Sequence, residues 1–230
     1  MKAILEPKTP PHPSVRKVLK KLCYCLKQYD DPKTDIAYWY GERALTGLLA
    51  SASWMVRDGW SLEEFTGQRK KGRRKNCSGK GDLWLGVGKN SYTMEAKVAW
   101  PTQLRDVNKW KTTVAKKLSK AGSQLNALDK PYRAGKPIAI CYVVPAIPTS
   151  TNGITDNILS LAMRNFAKVM TESNKHTEVM AYWITNFKNA PRDSNPKTGT
   201  CYAYPGLAVV VRYRDRWKFS SKRKRRCIRT

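Results

Sequence analysis

The stretch Ile138-Ala139-Ile140-Cys141-Tyr142-Val143-Val144 is the strongest constraint on how this chain can fold. It carries no charge and follows the turn signals Pro131, Gly135 and Pro137. A strand of this kind has no polar face to offer water, so it belongs in the middle of a sheet with helices on both sides. Helical stripes elsewhere supply that cover. Val15, Val18, Leu19 and Leu22 follow a capping Ser14, and Leu45, Leu48, Leu49, Ala52 and Val56 form a second stripe. A third runs from Leu104 through Val114, Leu118 and Leu125 to Leu128, and a fourth holds Ile158, Leu161, Ala162 and Phe166. Residues 178–187 and 201–213 read as further strands, with a polar loop at 188–200. The expectation is a single α/β domain built on a mixed β-sheet flanked by helices, for which 230 residues at 41% hydrophobic content suffice.

The stretch Gly79 to Ala99 carries the chemistry. It reads as a hairpin, Asp82–Val87 and Tyr92–Ala99, joined by Gly88-Lys89-Asn90-Ser91, where Gly and Asn take positive φ cheaply. Strand alternation sends Leu83, Leu85, Val87, Met94, Ala96 and Val98 to one face. Pairing Val87 with Tyr92 would put Asp82 opposite Lys97 and Trp84 opposite Glu95, so Asp82, Glu95 and Lys97 share the other face. Two carboxylates and an ammonium on one side of an apolar hairpin suit a divalent cation, since Mg²⁺ prefers hard oxygen ligands. A lysine beside it can orient water or stabilise charge on a phosphate. The same residues also suit a surface hairpin with a plain Asp82–Lys97 ion pair. An acidic residue two before a lysine occurs also at Glu6-Pro7-Lys8 and Asp31-Pro32-Lys33, but both contain a proline and lie in turn sequence, so context singles out Glu95-Ala96-Lys97.

This hairpin resembles the core of the PD-(D/E)XK nuclease superfamily, the restriction-endonuclease-like fold, although Lys80-Gly81 stands where the family's proline would precede Asp82. The resemblance covers roughly residues 36–145. It implies a DNA nuclease that uses Mg²⁺ or Mn²⁺, with Asp82 and Glu95 on the metal, the Ala96 carbonyl as a further ligand and Lys97 assisting the attacking water. The family often carries a glutamate on its first core helix, and Glu42 matches; a glutamate favoured by the helix dipole in a first turn explains it equally well. The family's early strand is not evident, and residues 54–66 are the place for it. Ser61 and Glu64 form a capping-box pattern that predicts a short helical turn at Ser61–Phe65. Gln124 is the inward polar residue of the helix that follows the Glu-x-Lys strand.

The net charge of +27 points to a polyanionic partner, because self-repulsion of that size destabilises a compact chain. Residues 66–81 are a Gly-punctuated basic run without periodicity, read as a loop that clamps phosphate through Arg69, Lys70, Lys71, Arg73, Arg74, Lys75 and Lys80. Lys120 on the third helix, and Arg223, Lys224 and Arg225 in the basic tail, are expected to add contacts to the DNA backbone. The domain organisation expected is a Pro-rich arm and short helix over 1–35, a nuclease-like domain over 36–215 and a basic tail over 216–230. Trp84, beside Asp82, could stack on a base or sugar. Six cysteines without a CxxC, and two histidines, argue against a zinc module and against a His-dependent nuclease. Free thiols fit a reducing intracellular compartment, nuclear if Lys222–Arg226 serves for import. No segment reads as a membrane span. A homodimer is expected if both strands of a duplex are cut. The rival expectation is a non-catalytic nucleic-acid-binding protein on a degenerate nuclease fold.

Overall fold

The computed structural model describes residues 2–6, 12–29, 36–71, 74–103, 106–128, 135–151, 153–173, 176–183, 187–195 and 198–213. Among them the chain is mixed α/β, with four α-helices around a seven-stranded sheet and a small three-stranded sheet beside it.

The apolar run lies where its composition demands. It falls in β5 (Lys136–Val143), the fourth of seven strands in the order β1-β7-β10-β5-β4-β3-β2. The others are β1 (Lys2–Glu6), β2 (Gly59–Lys71), β3 (Arg74–Val87), β4 (Asn90–Ala99), β7 (Thr177–Trp183) and β10 (Gly206–Tyr213). Side chains of β5 alternate between two cores. Ile138, Ile140 and Tyr142 meet α1 (Pro13–Tyr29) and α2 (Gly41–Trp54), through Leu19, Leu22, Leu45 and Leu49 among others. Ala139, Cys141 and Val143 meet α3 (Val107–Ala127) and α4 (Asp156–Ser173), through Val114, Leu118, Met163 and Phe166. A strand with this pattern could not lie at an edge without exposing one of these rows.

β4 and β5 are parallel, which requires a crossover, and α3 makes it. Asp106 caps α3 by accepting from Lys109 N at 2.8 Å. Every other pairing in the large sheet is antiparallel. The short strands β6 (Ile147–Pro148), β9 (Cys201–Ala203) and β8 (Arg192–Ser194) form the small sheet just beyond the end of β5.

Several expectations change. The N-terminal arm contributes β1, an edge strand antiparallel to β7, and α1 is part of the main core. The capping-box turn at Ser61–Phe65 does not form: these residues lie in the strand β2. Pairing along β3 outweighs a local cap, and the Ser61 hydroxyl donates to Ala50 O at 3.1 Å instead. Residues 66–71 and 74–81 of the basic run are not a loop but the outer part of a two-stranded ribbon, in register from Thr66–Lys80 to Arg69–Cys77 and, after a register shift, at Lys71–Arg74. The expected strand at 201–213 is two, β9 and β10, parted at Tyr204-Pro205, where proline removes a ladder donor.

The hairpin turn is Gly88-Lys89, with Gly88 at φ 58°. Leu85 therefore pairs with Tyr92 and Leu83 with Met94, a register shifted by two from the expectation. A shift of two keeps every side chain on its face, because the strand period is two. Leu83, Leu85, Val87, Met94 and Ala96 accordingly enter the α1–α2 core.

Candidate functional site

The site forms where two strand pairings separate. β3 pairs with β4 only as far as Leu83–Met94, while it continues against β2 through the ribbon. Asp82 is the first residue of β3 past that fork. Its side chain turns to the backbone of β4, and Oδ2 accepts from Ala96 N at 2.8 Å. On the β2 side the ladder also breaks at this level. Glu63–Leu83 and Phe65–Gly81 pair, but Glu64, the residue between, sits at φ 45°. A left-handed conformation at a glutamate costs about 1–3 kcal/mol and persists only where its surroundings hold it. Here Glu64 is held by ion pairs, to Arg43 of α2 and to Lys80 of β3 at 2.9 Å. Those two cations, Lys80 first, pull the Glu64 carboxyl below its ordinary value.

Lys97 is the centre of the cluster. Its side chain is only 12% exposed, and Nζ lies 3.0 Å from Glu42 Oε1 and 3.7 Å from Asp82 Oδ2. Nζ also donates to the carbonyl of Ala96. Two carboxylates and a carbonyl thus surround one positive charge. Glu42 reaches it because α2 begins at Gly41, so its first turn faces the fork; Thr46 Oγ1 donates to Glu42 O at 2.7 Å. Glu95, next to Ala96 and on the same face as Lys97, is fully buried.

Glu42, Thr46, Glu63, Glu64 and Asp82, with Arg43, line a cleft of about 150 Å³ beside this cluster. Beneath it Tyr142 of β5 donates to Thr46 Oγ1 at 3.4 Å. Burial, helped by the charges of Asp82, Glu42 and Glu63, pushes the Tyr142 phenol far up, so it stays protonated. Cys141 is likewise pushed up to about 12 by burial, which makes it an inert core thiol.

The structure brings Glu42, Asp82, Ala96 and Lys97 together, and Asp82–Lys97 is an ion pair as well as part of a cluster. Glu63 and Glu64 lie in the stretch that the sequence predicts as a helical turn; only the β2–β3 register reveals them at the cleft. Arg69, Lys70, Lys71, Arg74 and Lys75 lie along the ribbon. Lys80 is exposed and bonded to Glu64, and Lys120 is exposed on α3. Arg73, Arg223, Lys224 and Arg225 lie outside the described residues. Trp84 packs edge-to-face on Trp60, with ring centroids 5.1 Å apart, and against Phe65 at 6.2 Å. It is a part of an aromatic cluster rather than an open platform.

The donor set suits a hard cation: Asp82, Glu42 and the Ala96 carbonyl are oxygen ligands that already surround a cationic nitrogen. Yet among the described residues no group of three or more His, Cys, Asp or Glu side chains is gathered closely enough to hold a metal by itself. A metal here would need the backbone carbonyl, and Glu95 or Glu42 to turn toward Asp82. Compared with known proteins, the chain matches no family model, no curated protein and no solved structure. Among the described residues no helix is long and apolar enough to cross a membrane.

Proposed function

We propose that the protein is a metal-dependent nuclease that hydrolyses DNA phosphodiester bonds on a restriction-endonuclease-like sheet. The observation that carries this reading is the meeting of Glu42, Asp82 and the Ala96 carbonyl around Lys97 Nζ at the fork of β3 and β4. Asp82, Glu95, Ala96 O and Glu42 are the groups that would hold Mg²⁺ or Mn²⁺. When bound, the metal supplies a Lewis acid for the phosphate and a more acidic water. Lys97, released from the carboxylates it now neutralises, donates hydrogen bonds to the attacking water or to the phosphate oxygens as charge builds on them. Glu64 and Arg43 line the cleft, and Lys80 holds Glu64 from outside it beside the backbone that presents Asp82.

Affinity comes from the ribbon and the basic tail. A two-stranded ribbon fits the major groove of a duplex, and its strand running directly into Asp82 would deliver the phosphate backbone to the cleft. Binding of this kind weakens steeply with salt. Cutting both strands of a duplex calls for two such sites, which a homodimer would provide.

One observation favours the rival, a binding protein on a degenerate nuclease fold. Lys97 closes ion pairs with both carboxylates, as it would in a network that serves structure alone. Supercoiled plasmid at low salt separates the two, incubated with Mg²⁺, Mn²⁺ or EDTA beside Asp82→Asn and Lys97→Ala. The nuclease reading expects metal-dependent nicking or linearisation that both variants lose while they still retard the plasmid. Retarded but intact plasmid with every metal would favour the binding protein.

A further inference from the structure

A second cleft lies at the C-terminal ends of β4 and β5 and has no part in the chemistry above. It encloses about 550 Å³ between Trp100, Tyr202 and Tyr204, with Thr102, Asp193 and Asn195 among its polar residues. Its floor continues the central strands: Val144 N donates to Ala99 O, and Ala146 N to Pro101 O, each at 2.9 Å. Trp100 therefore stands just beyond the strand that carries Glu95 and Lys97, roughly 10 Å along the chain from the lysine. The small sheet forms the facing wall, where Tyr202 pairs with Asp193 across β8 and β9.

Two of these aromatic residues, Trp100 and Tyr204, are fixed in place. Tyr204 packs edge-to-face on Trp100, with centroids 6.0 Å apart at 86°, and on Trp39 at 6.2 Å and 84°. Its carbonyl accepts from the Tyr38 hydroxyl at 3.3 Å, and its amide donates to Pro191 O at 2.8 Å. Trp39 belongs to the 3-10 turn Ala37–Tyr40, which runs straight into α2 and Glu42. One row of rings thus spans the space between the two elements that bring Glu42 and Lys97 together. Trp100 nevertheless remains 39% exposed at the cleft. Held aromatic faces left open in a concave, polar-rimmed site are the arrangement that stacks flat rings. The net charge of +27 draws nucleic acid to the molecule as a whole, while the cleft itself carries, among the described residues, one charged residue, Asp193, and offers rings and polar groups to a base.

We propose that this cleft is a stacking subsite for an unpaired nucleobase. A base at a single-stranded end, gap or branch lies against Trp100 and the neighbouring tyrosines, its polar edge toward Thr102, Asp193 and Asn195. Its backbone then runs back along β4 toward Lys97. The inference rests on the reading of the protein as one that acts on nucleic acid. It narrows the substrate to DNA with unpaired nucleotides beside a duplex.

The test is fluorescence anisotropy with the full chain in EDTA at fixed low salt, using a blunt duplex and the same duplex with a single-stranded overhang. Wild type is expected to prefer the tailed duplex. Trp100→Ala and Tyr202→Ala should each weaken tailed binding about tenfold and leave blunt binding unchanged, the loss expected for one stacked base. Trp100→Phe should keep most of the preference, and the blunt duplex controls for folding. A preference undiminished in both alanine variants, or equal losses on both DNAs, would overturn the subsite while leaving the nucleic-acid reading intact. No binding of either duplex by wild type would overturn the nucleic-acid reading itself.

Discussion

Replacing Lys97 by methionine removes the charge at the centre of the cluster and keeps most of the side chain's volume. At an effective dielectric of about 20, the attraction of Nζ to Glu42 across 3.0 Å and to Asp82 across 3.7 Å is on the order of 5 kcal/mol each before desolvation. Most of that is offset, because the lysine is only 12% exposed and has lost its hydration, whereas the carboxylates keep 35% and 29% exposure and can rehydrate once it is gone. The net loss should therefore fall below the 3–5 kcal/mol typical of a broken buried pair, at about 1–2 kcal/mol. In a chain of this size that lowers Tm by roughly 2–8 °C. The variant also leaves two carboxylates and a carbonyl facing one another without a cation. A divalent ion at ten times its Kd would then return about 1.4 kcal/mol by mass action. Thermal melts across a Mn²⁺ titration at constant ionic strength check this. Lys97→Met should gain more Tm from metal than wild type, where a cation is already in place, and the added Asp82→Asn should abolish the gain. No metal-dependent gain in Lys97→Met, or an equal gain in the double variant, would refute the idea that these oxygens form a cation cradle.

Two further outcomes follow from packing and burial. A Cβ at Gly81 would lie 2.2 Å from the Phe65 ring, and one at Gly86 2.3 Å from the Trp60 indole. Gly81→Ala and Gly86→Ala should therefore each cost about 1–3 kcal/mol in urea melts, and an unchanged midpoint would mean that the rings do not cover these glycines. Glu178 of β7 is 3% exposed, and burial raises its carboxyl above the ordinary value near 4.5, against the opposing effects of Tyr213 and Arg16. The folded state then holds the proton more tightly than the unfolded one, so stability falls as pH rises from about 4.5 through the folded value. Glu178→Gln lacks this dependence. Its Tm relative to wild type should climb over that window, and a difference independent of pH would contradict the assignment.

What the sequence determined by itself was periodic and local. The charge-free run at 138–144 required a two-sided cover, and it lies at the middle of the sheet with helices on both faces. The alternation of Trp84 with Leu83 and Leu85, and of Thr93 with Met94, set their faces, and those faces survived a register error because a shift of two residues does not change parity. The tertiary structure decided everything that depends on partners far along the chain. Ser61 and Glu64 have a local helix-capping pattern, but the gain from pairing with β3 exceeds that of one cap, and the basic run beyond them pairs as a ribbon for the same reason. Glu42 meets Lys97 across 55 residues. No spacing rule encodes that contact, because it depends on the angle at which α2 crosses the sheet. The strained Glu64 and the fork at Asp82 are likewise products of three strands meeting. Composition marks strands and faces, whereas a site forms from where separate elements come to lie, and only the packed core sets that.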